Sequence, residues 1–434
     1  MAEQDRIIIV GAGIAGLVCA MELTRAGRAV LVLERHAEVG GRVRSHRQDG
    51  FTLDRGFQVL FTAYPVLREY LDLDALDLRA FLPAARIALG GRSSLIGDAL
   101  RQPALLFDTV GAREIATADK LRLLRLRLAV ATIPVEQCFA PRYRAMTARE
   151  LLVERGFSAA TIARFFEPFY GGILLDRLLG TSAAVLLFTF KMLAEGDTVV
   201  PAAGIDAIPR QMAATLPPDA VRLGIEVAAP TIADGRATGV RLTTGESLAA
   251  GHVVLAAEPP AIARLAREAG VTIPVPDGAL GCTTLYYAAS TPPLEGRALW
   301  LNAAPDAVIS HAVTCSEIAP EYAPAGRHLL AATAVGLAAA IDDRALDARA
   351  RLDLAQMRGE PLPPMELLHV ARVPYAQYPQ PPHESEEQRS PLTSIANLLI
   401  ASELLHSSSL DGAARGGRAA ARAILQSPVR DTTL

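Results

Sequence analysis

Aromatic residues are scarce: they make up 5% of the 434 residues, with one tryptophan. Lysine is scarcer, with only Lys120 and Lys191. Positive charge is therefore carried by arginine, which reads as genome composition rather than a binding surface. With a net charge of -3, the balance gives no reason to expect nucleic acid. The four cysteines, Cys19, Cys138, Cys282 and Cys315, contain no CxxC pair. Reduced thiols and a cytoplasmic location are the expectation. No apolar run reaches the ~18 residues of a membrane span. The start, MAEQDRIIIV, lacks the basic and long apolar regions of a secretion signal. The eight histidines lack metal-ligand spacing, so no metal is expected. No nucleophile triad or acid–base pair is recognisable, so the sequence leaves the catalytic residues unassigned.

What is present is globular. Hydrophobic residues make up 51% and charged residues 21%. The length exceeds the roughly 250–300 residues at which single cores stop growing, so two domains are expected. RIIIV at 6–10 reads as a buried parallel strand. A glycine turn, a helix over 14–26 and a second buried strand over 29–34 complete a βαβ unit. Residues 65–195 read as mostly helical, with Leu/Arg-mixed 118–131 as a packed helix or a membrane-facing one. Strands follow at 221–257, 279–289, 327–335 and 367–373. Pro-rich 374–391 reads as a loop, 397–402 as a last strand, and 410–425 as a small-residue closing helix.

The chemistry starts at Gly11-Ala12-Gly13-Ile14-Ala15-Gly16. Gly11 permits a tight turn, Gly13 lets the backbone approach a pyrophosphate, and Gly16 lets helix and strand pack closely. The helix N-terminus then offers its amides to the phosphates. Glu34, followed by Arg35, ends the second strand, where a carboxylate can accept from both ribose hydroxyls. It would repel a 2′-phosphate. This predicts dinucleotide binding. Gly40-Gly41-Arg42 comes next: paired glycines allow positive φ beside a ligand. Arg42 can aim its donor fork at a phosphate or a flavin edge.

The segment GAGIAGLVCAMELTRAGRAVLVLERHAEVGGRVRS resembles the glycine-doublet flavoproteins: amine oxidases, protoporphyrinogen oxidases and phytoene desaturase-like enzymes. The desaturase-like bacterial branch is the nearest in flavour, through FFEPFYGGILLD, AEGDTVVPAAGIDAIPRQMA and the C-terminus. The resemblance implies FAD. It implies an α/β fold with a three-layer Rossmann-type FAD domain on a parallel sheet and a discontinuous α+β substrate domain. The FAD domain would comprise 1–62, 194–264 and 392–434; the substrate domain, 63–193 and 265–391. By resemblance, Gly56, Phe57, Gln58 and Val59 run beside the flavin ring, Val227 contacts adenine, and Ala256 lies near the pyrophosphate. Glu403, in a Ser402-Glu403 pair where the family has Gly-Asp, stands for the ribityl contact. Ser409, Leu410 and Ala413 begin the helix beneath the pyrimidine, whose amides would stabilise negative charge on the ring.

Neither lysine falls on a strand, as the family's flavin-facing lysine would. Tyr375 and Tyr378 are the only aromatics placed to form an amine cage. Gln58, Tyr286 and Tyr375 are candidates for the pocket lining, and His406 reads as a polar loop residue. The expected activity is hydride removal from a C–H bond of an apolar, terpenoid- or carotenoid-like molecule, with oxygen or a quinone as electron acceptor. Peripheral membrane contact stays open. So do an amine oxidase and a non-redox prenyl-binding protein of the same fold, as in Rab GDP-dissociation inhibitors.

Overall fold

A computed structural model describes residues 6–336, 341–383 and 390–426. The apolar runs at 7–10 and 30–34 form adjacent parallel strands, buried on both faces. The parallel sheet has five strands, in the order Val221–Leu223, Val30–Glu34, Ile7–Val10, His252–Leu255, Leu398–Ile400. Continuous β-branched runs suit this site, because helices and strands cover both faces. Helix Ile14–Arg25 lies against helix Leu410–Gln426. The small residues of the closing helix are a packing requirement: a Cβ on Gly417 would stand 2.2 Å from the Ala15 carbonyl oxygen.

The second layer is a seven-stranded sheet. Its order is Met365–Gln377, Leu280–Ala289, His328–Val335, Ile309–Thr314, Leu299–Asn302, Ala84–Leu89, Arg92–Gly97. Helix Asp343–Arg358 covers one face. Helices Glu167–Ile173 and Ala183–Glu195 lie toward the other, across a cavity.

Two expectations are corrected. Residues 65–195 are not uniformly helical: strands occupy Leu78–Ala80, Ala84–Leu89 and Arg92–Gly97. The last two form a hairpin over Gly90-Gly91, at φ 59° and 73°. A two-residue glycine turn with positive φ at both positions is a hairpin signal. Alanine and serine around it hid the alternation. The expected loop at 374–391 begins late, because the strand runs through Pro374 to Gln377. It is an edge strand, where a missing amide donor is tolerated. Part of that loop, 384–389, lies outside the described residues.

Asp54 knots the layers together. It is 5% exposed and accepts from Ser45 Oγ (2.6 Å), Tyr322 Oη (2.9 Å) and Ile205 N (3.1 Å). Burial pushes its carboxyl up from 3.8 to about 6, against these bonds. The folded value lies above the unfolded one. Its stabilising contribution is therefore fully present below about pH 4 and is lost as pH rises through about 6. The difference corresponds to ~3 kcal/mol. Denaturant titrations of the wild type and Asp54→Asn should show the variant gaining relative stability by about that amount between pH 4 and pH 7. A gap that does not change with pH would contradict the assignment.

Candidate active site

A cavity of about 470 Å³ separates the two sheets. Its glycine end is built by the first turn. Gly11 has φ 113°, and a Cβ there would meet the Ala256 carbonyl oxygen at 2.5 Å. A Cβ on Gly16 would stand 2.0 Å from the Gly11 carbonyl oxygen. Gly13 is different: its missing Cβ would meet nothing within 4 Å. The open space over Gly13 is the cavity itself, so a ligand can approach this backbone. Helix Ile14–Arg25 starts there with no side-chain cap on its amides, which is the arrangement that receives a phosphate.

Gly40 and Gly41 have φ 116° and 61°. The Gly40 amide donates to the Ala12 carbonyl (2.8 Å), and Gly41 faces Gly13, so the two glycine motifs share one mouth. Glu34 is 5% exposed. Its carboxylate accepts from the amides of Ala12 (2.9 Å) and His36 (3.0 Å). Each oxygen keeps a lone pair for a ribose hydroxyl.

Gly11, Gly13, Ile14, Ala15, Glu34, Arg35, Gly40, Gly41 and Arg42 line the cavity. So do Gly56, Phe57, Gln58, Val59, Val227, Ala256, Glu403, Ser409, Leu410 and Ala413. Ala12 and Gly16 do not; they hold the turn from behind, Ala12 by its bond to Glu34 and Gly16 by packing.

Three expected roles change. Arg42 does not hold its fork free for a ligand: it donates to Glu403 and to the Ala376 carbonyl (2.8 Å). Glu403, 4% exposed, is therefore the anion that neutralises Arg42. At the closing helix, the Gly412 and Ala413 amides are spent on Ser409, at 2.9 and 3.0 Å. The cavity-facing helix start is thus at Ser409 and Leu410.

The aromatic candidates also move. Tyr286 is core: it is 2% exposed and donates to the Asp54 carbonyl at 2.7 Å. Tyr378 is 3% exposed and donates to the Glu403 carbonyl at 3.0 Å. Tyr375 is absent from the cavity wall, and no amine cage forms from the pair. His406 is exposed and also off the wall. Lys191 is buried, donating to the Val130 carbonyl (3.1 Å) and to Glu195; Lys120 donates to the Val110 carbonyl (2.7 Å). Neither reaches the cavity.

The far end of the cavity was not legible in the sequence. Phe61, Tyr64, Phe169, Ile173, Val185, Phe188 and Leu299 wall it, with Thr189, His311, Thr333 and Gln377 among them. The signal for His311 was a lone histidine within the apolar run Ile309–Thr314, whose alternate residues share a face. Among the described residues, no group of three or more His, Cys, Asp or Glu is arranged to hold a metal.

A parallel sheet with an amide-lined glycine turn, a ribose-facing carboxylate and a second sheet closing an apolar chamber defines a dinucleotide-dependent flavoprotein architecture. The chain belongs to the flavin-containing amine oxidoreductase family, whose sequence profile matches residues 14–425. FAD is the cofactor that goes with it. The chain is 28% identical over 288 residues to a hydroxyneurosporene desaturase of Cereibacter sphaeroides, covering 59% of this chain and 57% of that one. It is 31% identical over 161 residues to an L-amino-acid oxidase of Crotalus adamanteus, covering 36% and 31%. An oxidoreductase from Methanosarcina mazei shares the fold, with a TM-score of 0.73 at 18% identity, covering 97% of this chain and 99% of that one. Matches to curated relatives such as these span from 16% to 57% of those proteins' own lengths.

Proposed function

We propose that this chain is an FAD-dependent oxidoreductase that oxidises a C–H bond of an apolar, terpenoid- or carotenoid-like substrate. One observation carries the reading: the far chamber is walled mainly by aromatic and aliphatic side chains, and among the described residues no lysine or carboxylate belongs to it. Of the lining carboxylates, Glu34, Glu226 and Glu258 go with the glycine end, and Glu403 is already neutralised by Arg42. A protonated amine entering the chamber would find no counter-ion, at a high desolvation cost.

FAD, when bound, supplies the acceptor for the electron pair and hydrogen leaving the substrate carbon. The chain's own residues bind and orient. Uncapped amides at Gly13–Ile14 and the Glu34 carboxylate grip the nucleotide. The Arg42–Glu403 pair fixes the wall between nucleotide and chamber. Phe169, Phe188 and Leu299 exclude water and hold a reacting carbon in place, which is the main contribution such a site needs. We assign oxygen or a quinone as the electron acceptor.

A surface feature supports a lipid-derived substrate. Leu100, Leu106, Phe107, Val110, Leu121, Leu124 and Leu128 are all exposed, Phe107 by 86%. They lie on segments 100–110 and Thr117–Thr132, and the latter helix packs on Ala183–Glu195, whose Val185 and Phe188 line the chamber. We assign this face to peripheral membrane contact. Among the described residues no helix is long and apolar enough to cross a membrane.

The test is anaerobic bleaching of the flavin with a polyene panel and an amine panel. Bleaching by polyenes is expected. Bleaching by simple amines alone overturns the substrate, and a protein that cannot be reconstituted with FAD overturns the whole reading. Lysine chemistry is separately testable. Lys191→Met should leave turnover within about twofold, since Lys191 lies off the cavity wall and Glu195, 37% exposed, is resolvated once the pair is broken. A loss of a hundredfold or more would place Lys191 in the reaction.

A further inference from the structure

His311 is a buried polar group that no contact within the chamber explains. It stands on strand Ile309–Thr314, 5% exposed, and lines the cavity. Its Nδ1 has no hydrogen-bond partner. That nitrogen is pressed against helix Glu167–Ile173, where a Cβ on Gly172 would stand 2.7 Å from it. Phe57 packs against the ring, with centroids 5.5 Å apart. Glycine at 172 is what lets the imidazole occupy this place.

Most neighbouring polar groups are already engaged. The Thr333 hydroxyl bonds Thr284 at 3.0 Å. The Gln58 amide donates to the carbonyls of Arg55 (2.8 Å) and Arg42 (3.1 Å). The Gln377 amide donates to the Ile173 carbonyl at 2.8 Å; its oxygen has no partner, but it is an acceptor only and offers a substrate oxygen no hydrogen bond. Thr189, on the facing helix, adds a hydroxyl.

Burial pushes His311 down to about 4, so the ring is neutral at physiological pH. A neutral imidazole carries one proton. A proton on Nδ1 would be a buried donor facing a glycine, with the full penalty of an unmet hydrogen bond. The proton therefore sits on Nε2, and the ring offers the chamber a donor without offering a charge.

The geometry points to His311 as a specificity-determining residue: its Nε2–H takes one uncharged oxygen acceptor on an otherwise apolar substrate. The class is an isoprenoid-like molecule bearing a hydroxyl, ether or carbonyl oxygen. This rests on the apolar-substrate reading above and narrows it. A hydrocarbon leaves the donor unmet, and a cation finds no anion.

The experiment uses the FAD-loaded full chain under anaerobic conditions. Farnesene, farnesol and farnesyl methyl ether are titrated, and binding is read from the perturbed flavin absorbance. Farnesol should bind about tenfold more tightly than farnesene, as expected for one buried hydrogen bond. The ether, which accepts but cannot donate, should keep that preference. His311→Leu should abolish it, and His311→Asn, with an amide donor, should retain most of it. Equal binding of farnesol and farnesene by the unmodified protein overturns the inference. So does an ether that binds no better than farnesene, or a preference that survives in His311→Leu. The ether comparison needs no variant and holds even if leucine is not tolerated. Failure of all three probes to bind overturns the apolar-substrate reading itself.

Discussion

Gly11→Ala should yield a chain that comes off purification without its flavin and unfolds at markedly lower denaturant. Two independent penalties fall on one methyl group. The backbone at Gly11 has φ 113°, which an L side chain rarely adopts. The added carbon also meets the Ala256 carbonyl oxygen at 2.5 Å, just past the end of the pairing between Ile7–Val10 and His252–Leu255. Strain of this kind costs on the order of 1–3 kcal/mol, and overpacking a similar amount. The turn can relieve both only by moving away from strand His252–Leu255. That displaces the amides of Gly13 and Ile14 from the phosphate position. The measurement is the ratio of flavin to protein absorbance after desalting, with the unfolding midpoint beside it. Full flavin content in Gly11→Ala would refute the geometry.

Glu403→Ala should be the next most damaging. It removes the anion from an Arg42 guanidinium enclosed by the cavity wall, leaving one bond to the Ala376 carbonyl. Breaking a buried pair by removing one partner costs about 3–5 kcal/mol, because the surviving charge is uncompensated. Part of that loss is expected in folding stability and part in FAD affinity, since Arg42 and Glu403 both line the cavity. Replacing both, as Arg42→Met with Glu403→Leu, should recover much of the folding stability and little of the FAD affinity. Equilibrium titration of the apoprotein with FAD separates the two. If Glu403→Ala binds FAD as tightly as the wild type, the pair has no part in holding the cofactor wall.

The glycine end of the cavity was readable because its information is local. Gly11, Gly13, Gly16, Glu34 and the Gly40-Gly41 pair lie within one βαβ unit and the turn after it. Spacing along the chain there translates directly into spacing in the fold. The family resemblance added Val227, Ala256 and the closing helix, and the structure brings them to the same cavity. What neither supplied was partnership. Arg42 and Glu403 were each assigned to the ligand, and they hold each other. A charge's partner 361 residues away leaves no mark in local sequence.

The chamber end failed for the same reason in stronger form. His311 faces Thr333 through antiparallel register, and it meets Gly172 and Phe57 only because a helix and a loop cross the sheet there. The hairpin at Ala84–Gly97 was hidden because its outer positions are alanine, serine and arginine, so burial follows from pairing rather than from composition. Tyr286 was misplaced by one face: on a strand, neighbouring residues point to opposite sides, and its side is the Asp54 core.

The order of the parallel sheet bears on how the protein folds. Its central strand, Ile7–Val10, and its edge strand, Leu398–Ile400, are separated by most of the described chain. Helix Leu410–Gln426, which packs on Ile14–Arg25, follows later still. A sheet joined from such distant segments forms through long-range contacts, which fold slowly. The helix that carries the nucleotide turn is covered only when Leu410–Gln426 packs on it.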